Sequence, residues 1–261
     1  MRSFVVGAVQ FDVYLGETER NVERAVQGLN KLKERGARLA VLPEMFTCGF
    51  DNENLAEHAG QTPGILDRLA EVAEKLGMVI VGSLPELDDE LVYNTAHVIG
   101  PDGVVAGTYR KVHLFAPTGE RDYFAAGKSP KVVDTHLGRL GLVICYDLRF
   151  PELCRALTER GADMLVVMAQ WPTVRIQHWD ILCQARAVEN QLWVIACNRV
   201  GQDGKLLYGG QSRVVSPWGR LPATGGNKSG LLTAEVDLKE NETYRKAIPC
   251  MEQKVYSIDV P

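Results

Sequence analysis

Short apolar runs alternate with amphipathic stretches along the whole chain. Runs at 4–9, 39–42, 78–83, 95–99, 140–144, 164–168, 192–196, 212–215 and 231–236 predict strands, because each is apolar over a strand's length and bounded by turn residues. Apolar residues recur at helical spacing over 19–35, 65–76, 152–160 and 180–190. Pro101-Asp102-Gly103 and Pro217-Trp218-Gly219 each follow a β-rich run and predict hairpin-type turns. Strands interleaved with helices make the α/β pattern. No Pro/Gly/Ser-rich linker interrupts it, so one domain over 1–261 is expected.

Two halves of the chain share a faint repeat. Glu34-Arg35-Gly36-Ala37 leads into the strand ending at Glu44, and Glu159-Arg160-Gly161-Ala162 into the strand ending near Gln170. Upstream, Val9-Gln10-Phe11-Asp12 matches Ile144-Cys145-Tyr146-Asp147. Such junctions also recur by chance. If the repeat is structural, two similar sheets pack face to face with helices outside, and the polar strand ends meet at one rim.

Composition narrows the function. A net charge of −4 and a pI near 5.8 argue against nucleic acid as the main partner, since phosphate binding needs a basic surface. No apolar run reaches about 18 residues, so no membrane span is expected. The first residues enter a strand-like run without a signal-peptide pattern, which makes the cytoplasm the expected compartment. The six cysteines form no C-x-x-C pair and no zinc-type cluster. They read as free thiols, most of them buried apolar groups, with room for one nucleophile.

Cys145 closes an apolar run and precedes Pro151-Glu152, which opens a helix. A thiol in such a turn can be activated by the helix N-terminus and nearby cations, or can be a buried filler. Glu44 ends Leu39-Ala40-Val41-Leu42-Pro43-Glu44, where partial desolvation would raise its pKa and make it a usable base; an exposed loop acid is the alternative. Lys111 lies in Tyr109-Arg110-Lys111-Val112-His113-Leu114-Phe115; in an extended segment it would share a face with His113 and Phe115 and need a partner, unless it is a solvated surface lysine.

Together, Leu42-Pro43-Glu44, Tyr109-Arg110-Lys111-Val112-His113-Leu114 and Ile144-Cys145-Tyr146-Asp147-Leu148-Arg149-Phe150-Pro151-Glu152 resemble the three blocks of the nitrilase superfamily of carbon–nitrogen hydrolases, in that family's order. The likeness runs from the N-terminal strand to Pro217-Trp218-Gly219. The resemblance implies a four-layer αββα sandwich of two mixed sheets, commonly a homodimer. It implies Glu44 as general base, Lys111 as electrophilic cation and Cys145 as nucleophile. Glu120 matches a second acid that holds Lys111, ahead of Asp122 and Asp134. Attack on a primary amide would give an oxyanion held by Lys111 and the Tyr146 N–H, then a thioester that water opens. No metal or organic cofactor is required.

The series from Gln170 through Trp179, then Ala185–Gln191 and Cys197–Gly201, looks like the omega-amidase branch. That branch hydrolyses small 2-oxo acid monoamides such as 2-oxoglutaramate and 2-oxosuccinamate, repairing products of glutamine and asparagine transamination. The substrate's distal carboxylate needs a cation. Arg175 and Arg149 are the candidates, with Trp171 and Phe115 as pocket walls. A surface role for Arg175, or an ion pair of Arg149 with Asp147 or Glu152, would remove them. His113 and His178 read as packing residues rather than protease-like bases, and Trp179, Trp193 and Trp218 as core or interface. Competing functions are an amidase for deaminated glutathione, an N-carbamoyl amino-acid hydrolase, a nitrilase, or a catalytically silent scaffold.

Overall fold

The computed structural model describes residues 3–204 and 206–256. Its first sheet has the order β14-β1-β2-β3-β4-β5. These strands are β1 (Ser3–Gln10), β2 (Ala37–Val41), β3 (Val79–Asp88), β4 (Leu91–Ile99), β5 (Val105–Arg110) and β14 (Gly230–Asp237). The second sheet runs β13-β12-β9-β8-β7-β6. Its strands are β6 (Val132–Thr135), β7 (Gly138–Ile144), β8 (Met164–Ala169), β9 (Trp193–Asn198), β12 (Arg213–Val215) and β13 (Ala223–Thr224). A separate hairpin pairs β10 (Val200–Asp203) with β11 (Leu206–Gly209).

The strand period of two sorts the side chains into layers. In β8, Met164, Val166 and Met168 meet β1, β2 and β3 of the other sheet through Val6, Val41 and Val81. The alternate residues Leu165, Val167 and Ala169 pack under helices α4 (Pro151–Glu159) and α5 (Ile176–Asn190). On the first sheet, Val9, Ala40 and Ile80 face α1 (Thr18–Glu34) and α2 (Leu55–Leu76). The layers are therefore helix, sheet, sheet, helix, as the family resemblance implied. Gly28 lets α1 lie on β1, since a Cβ there would come within 2.3 Å of Val9 Cγ1.

The two sheets repeat one plan. Each has three parallel strands at its centre, β1-β2-β3 and β7-β8-β9, flanked by antiparallel strands in the same arrangement. The expected repeat is thus structural: α1 and α4 occupy matching crossovers, and both ERGA junctions enter the second parallel strand.

Several expectations need correction. Helix α2 begins at Leu55, ahead of the expected start at residue 65, and passes through Pro63. Proline inside a helix costs about 3 kcal/mol, and burial of Leu55 and Ala59 outweighs it. The segment after β5 is not a continuous extended strand. It leaves the sheet after Arg110, so His113 does not share a face with Lys111. The short strands β5, β6, β10, β11 and β13, helix α3 (Glu120–Tyr123) and the polar helix α6 (Lys239–Ala247) were not predicted. Trp179 and Trp193 are core, whereas Trp218 is part-exposed and stacks on Tyr244. Among the described residues, no helix is long and apolar enough to cross a membrane.

Candidate active site

The carboxyl ends of the central parallel strands open onto one rim, the usual place for ligands in open α/β sheets. Glu44 follows β2, Cys145 follows β7, Gln170 follows β8, and Lys111 follows β5 on the first sheet's edge. All four line a single cavity of about 130 Å³.

The turn carrying Glu44 is held from behind. The Met45 N–H donates to Ser83 Oγ at 2.8 Å, and Met45 takes φ +43°. This aims Glu44, fully buried, between the sheets. Its Oε1 accepts from Lys111 Nζ at 2.9 Å and from Asn94 Nδ2 at 2.9 Å. Its Oε2 accepts from the Gln170 N–H at 3.0 Å, and Gln170 Nε2 donates back to the Glu44 carbonyl at 2.9 Å. The two matching strand ends therefore bond to each other, so the polar ends do meet at one rim.

Lys111 is also fixed by its backbone, through its N–H to the Asn94 carbonyl at 2.9 Å. Its ammonium sits between two carboxylates, with Glu120 Oε1 at 2.7 Å and Oε2 at 3.0 Å. Glu120 stands at the start of α3, and its Oε2 also accepts the Phe115 N–H at 2.5 Å. All three side chains are nearly inaccessible. Burial works against the lysine's charge, but Glu44 and Glu120 outweigh it and raise its pKa, so Lys111 stays an ammonium.

Cys145 begins the one-turn helix after β7 with φ +47°, a left-handed conformation that side-chain-bearing residues rarely hold. Its thiol lines the same cavity as Glu44, Lys111 and Gln170 and feels the Glu44 and Lys111 charges. Burial, reinforced by the Glu44 charge and opposed by Lys111, pushes this thiol well above its ordinary pKa. This corrects the expectation of a thiol activated at rest by a helix end and cations. Burial also raises the pKa of Glu44, with Lys111 opposing and Glu120 adding. The resting pair is a neutral thiol beside a carboxylate of raised basicity, which suits proton transfer during attack. Cys48, Cys154 and Cys183 are pushed up to about 12, chiefly by burial, and line no part of the cavity.

The outer cavity brings together the remaining expected residues. Phe115, Tyr146, Arg149, Trp171 and Arg175 all line it. The Arg149 guanidinium lies 4.7 Å from the Trp171 ring centroid, and that of Arg175 lies 5.2 Å from Phe115. Trp171 is locked by its N–H to Asn198 Oδ1 at 2.7 Å and its ring N–H to the Arg175 carbonyl at 2.8 Å. Arg149 donates to His178 Nδ1 at 3.2 Å and pairs with neither Asp147 nor Glu152. Burial and then the nearby Arg175 charge lower the Arg149 pKa. Two cations near enough to feel each other's charge thus line the cavity, a combination that suits an anion.

Other contributors escaped the sequence reading. Asn94 reaches Glu44 from the interior of β4. Buried Arg199 holds Gln170 Oε1 at 2.9 Å and Asp12 Oδ1 at 3.0 Å. Asp203, Leu206 and Tyr208 bring the β10–β11 hairpin to the mouth. A buried polar residue inside an apolar strand was the available signal for Asn94; the hairpin left none.

A carbon-nitrogen hydrolase family model matches residues 5–246. The chain is 36% identical over 248 residues to 2-oxoglutaramate amidase of Bacillus subtilis (strain 168), covering 94% of this chain and 95% of that protein. It is 34% identical over 275 residues to omega-amidase NIT2 of Homo sapiens, covering 100% and 99%. A carbon-nitrogen hydrolase from Helicobacter pylori G27 superposes with a TM-score of 0.93 at 26% identity, covering 97% of this chain and 96% of that one. The amidase of Nesterenkonia sp. AN1 superposes at 0.84 with 29% identity, over 96% and 97% of the chains. It was solved as a glutamate-to-leucine variant with the acetamide moiety of fluoroacetamide joined to its active-site cysteine. With its family blocks gathered at one rim of the shared fold, this chain belongs to the carbon–nitrogen hydrolase family of the nitrilase superfamily.

Proposed function

We propose that this protein is an omega-amidase: it hydrolyses the terminal amide of a small 2-oxo dicarboxylic acid monoamide, such as 2-oxoglutaramate or 2-oxosuccinamate, to the acid and ammonia. The observation that carries the reading is one buried carboxylate, Glu44, shared by the Cys145 thiol and the Lys111 ammonium at the floor of a cavity. The names of the Bacillus subtilis and human relatives support the substrate class.

In this reading the substrate amide lies over Cys145 with its carbonyl oxygen toward Lys111 Nζ and the Tyr146 N–H. Sulfur attacks the carbonyl carbon while Glu44 takes the thiol proton. The developing oxyanion is stabilised by donors already in place, each worth roughly 2.7–4 kcal/mol. The tetrahedral adduct collapses, Glu44 passes the proton to the leaving nitrogen, and ammonia departs from a Cys145 thioester. Water then gives its proton to Glu44 and attacks the thioester, releasing the acid and restoring the thiol. Glu120 keeps Lys111 charged and in place. Arg149 and Arg175 hold the distal carboxylate, with Trp171 and Phe115 as aromatic backing.

The same proposal places the enzyme in the cytoplasm as a homodimer. Its free thiols suit a reducing compartment, and the exposed Val174 and Ile181 supply apolar surface for a second copy. Sedimentation measures the oligomer directly.

The deciding experiment is ammonia release from a panel of 2-oxoglutaramate, 2-oxosuccinamate, deaminated glutathione, an N-carbamoyl amino acid and a nitrile, with Cys145→Ala as control. The proposal expects the 2-oxo acid monoamides to give the highest kcat/KM and the control to be inert. A higher kcat/KM on another substrate would move the protein to that branch. A folded wild type inert on the whole panel would make it a scaffold.

A further inference from the structure

Cys145 and Lys111 come from opposite sheets, and nothing in the chain's covalent order sets the distance between them. One buried side chain outside the Glu44–Lys111–Glu120 cluster touches the supports of both. Asp147, wholly inaccessible, fills both carboxylate oxygens with donors from the two sides. Its Oδ2 accepts the Ile144 N–H at 3.1 Å and the Tyr109 hydroxyl at 2.8 Å. Its Oδ1 accepts the His113 N–H at 3.0 Å and His113 Nδ1–H at 2.8 Å.

These contacts bracket the two reactive groups in sequence. The bond from Ile144, across Cys145 to Asp147, closes the turn in which Cys145 holds φ +47°. The bonds from Tyr109 and His113 flank Lys111, and the Val112 N–H donates to the Tyr109 hydroxyl at 3.3 Å. The His113 ring lies flat on Phe150 at 3.6 Å, which ties the lysine loop to the far end of the cysteine turn. Asp147 itself does not line the cavity.

We propose that Asp147 is a positioning residue: one buried carboxylate that sets the placement of the Cys145 sulfur relative to the Lys111 ammonium. The inference rests on the reading of these two as nucleophile and oxyanion-binding cation. A carboxylate suits the place because four donors converge on two acceptor oxygens. An isosteric amide has one oxygen and an NH₂ group, so it must set a donor against backbone N–H groups on one side. Whichever side gives way, the nucleophile or the cation shifts relative to the other. Asp147 itself bonds Tyr109, His113 and Ile144 and none of the outer-cavity side chains, so the reacting pair is disturbed more than the grip on substrate.

The test is Asp147→Asn, assayed for ammonia release from 2-oxoglutaramate and for alkylation of Cys145 by chloroacetamide. In the second reaction the S–C bond forms, chloride leaves, and the thiol proton passes to Glu44. Mass spectrometry of the Cys145 peptide gives both the rate and the fraction labelled at completion. The expected result is complete labelling at a rate about 100-fold lower, with kcat per reactive thiol reduced alike and KM within about threefold, as for a displacement on the order of 1 Å. Simple loss of folded protein would instead lower the fraction reactive toward 2-oxoglutaramate and leave the rate per folded molecule unchanged. That result, or wild-type kcat per reactive thiol, overturns the proposal.

If Asp147→Asn does not fold, Tyr109→Phe combined with His113→Phe carries the test. It removes two of the four donors and retains a ring on Phe150. Here kcat per reactive thiol is expected to fall about tenfold, the lesser effect of partial misplacement; an unchanged value overturns the proposal. Wild-type enzyme that releases ammonia yet takes no label at Cys145 overturns the nucleophile itself, a failure distinct from that of Asp147.

Discussion

The two halves of this molecule present polar residues at matching strand ends, yet of each matching pair only one member carries chemistry, and the working members come from both halves. At the end of β1, Gln10 uses its side chain inside the protein: Nε2 donates to the Gly226 and Lys228 carbonyls at 2.8 and 2.7 Å, and Oε1 accepts the Ser212 N–H at 2.9 Å. At the end of β7, Cys145 steps into a left-handed turn and faces the cavity. The second parallel strands end in Glu44 and Gln170, which bond to each other. Beyond the last strand of each sheet stands a lysine. Lys111 is buried between carboxylates, whereas Lys228 is exposed. The scaffold supplies equivalent positions twice, and the residues placed there decide whether a site results.

Breaking that asymmetry gives the largest effect. Glu44→Gln makes the first strand end chemically like the second and keeps its shape. We expect kcat to fall roughly 10²–10⁴-fold through loss of the base, with the thermal midpoint lowered as well, because the amide loses the charge that pairs Lys111 and sets an NH₂ against one of its three donors. Steady-state ammonia release and calorimetry check it. Lys111→Met leaves Glu44 and Glu120 buried together without their cation and should destabilise the fold by about 3–5 kcal/mol, read by denaturant unfolding. Lys228→Met at the matching exposed position should change neither stability nor rate.

Arg175→Ala probes the anion-binding end of the cavity. We expect KM for 2-oxoglutaramate to rise by roughly one to two orders of magnitude, the equivalent of a charged hydrogen bond at about 1.5–3 kcal/mol. A neutral short-chain amide should show no such rise. The pH dependence is subtler. Burial raises the Glu44 pKa, and the base must be ionised, so kcat/KM should be lost as pH falls through a value above the ordinary carboxylate pKa of 4.5. The Cys145 pKa is raised well above 9.0, so thiol ionisation should produce no rise in rate through pH 7–9. A kcat/KM profile from about pH 4 to pH 9 reads both limbs.

How much of this could be read from residues alone follows from the range of the forces involved. The central strands were legible because their apolar runs reflect local burial, and helices α1, α4 and α5 because their periodicity does. Glu44, Lys111 and Cys145 were legible as family blocks, and Glu120 through its place between them. Asn94, Arg199 and Asp147 were not, since each is defined by partners far away in sequence: Asn94 by Glu44, Arg199 by Asp12 and Gln170, Asp147 by Tyr109 and His113. The β10–β11 hairpin was missed because Val200-Gly201-Gln202-Asp203 has no alternating apolar pattern. Its pairing and its anchorage by the Pro172–Tyr208 bridge are tertiary. The state of the thiol was misjudged for a related reason: the helix-end argument is local, whereas the burial that raises its pKa comes from both sheets.

The central claim is that Cys145 forms a covalent bond to the substrate's acyl group. Acid quenching of the enzyme during turnover of 2-oxoglutaramate, followed by mass spectrometry of the Cys145 peptide, tests this most directly. The account predicts an added mass equal to the substrate less ammonia, on Cys145 alone, and none in Cys145→Ala. Continued ammonia release by Cys145→Ala at the wild-type rate, or an acyl group on a different residue, would contradict it.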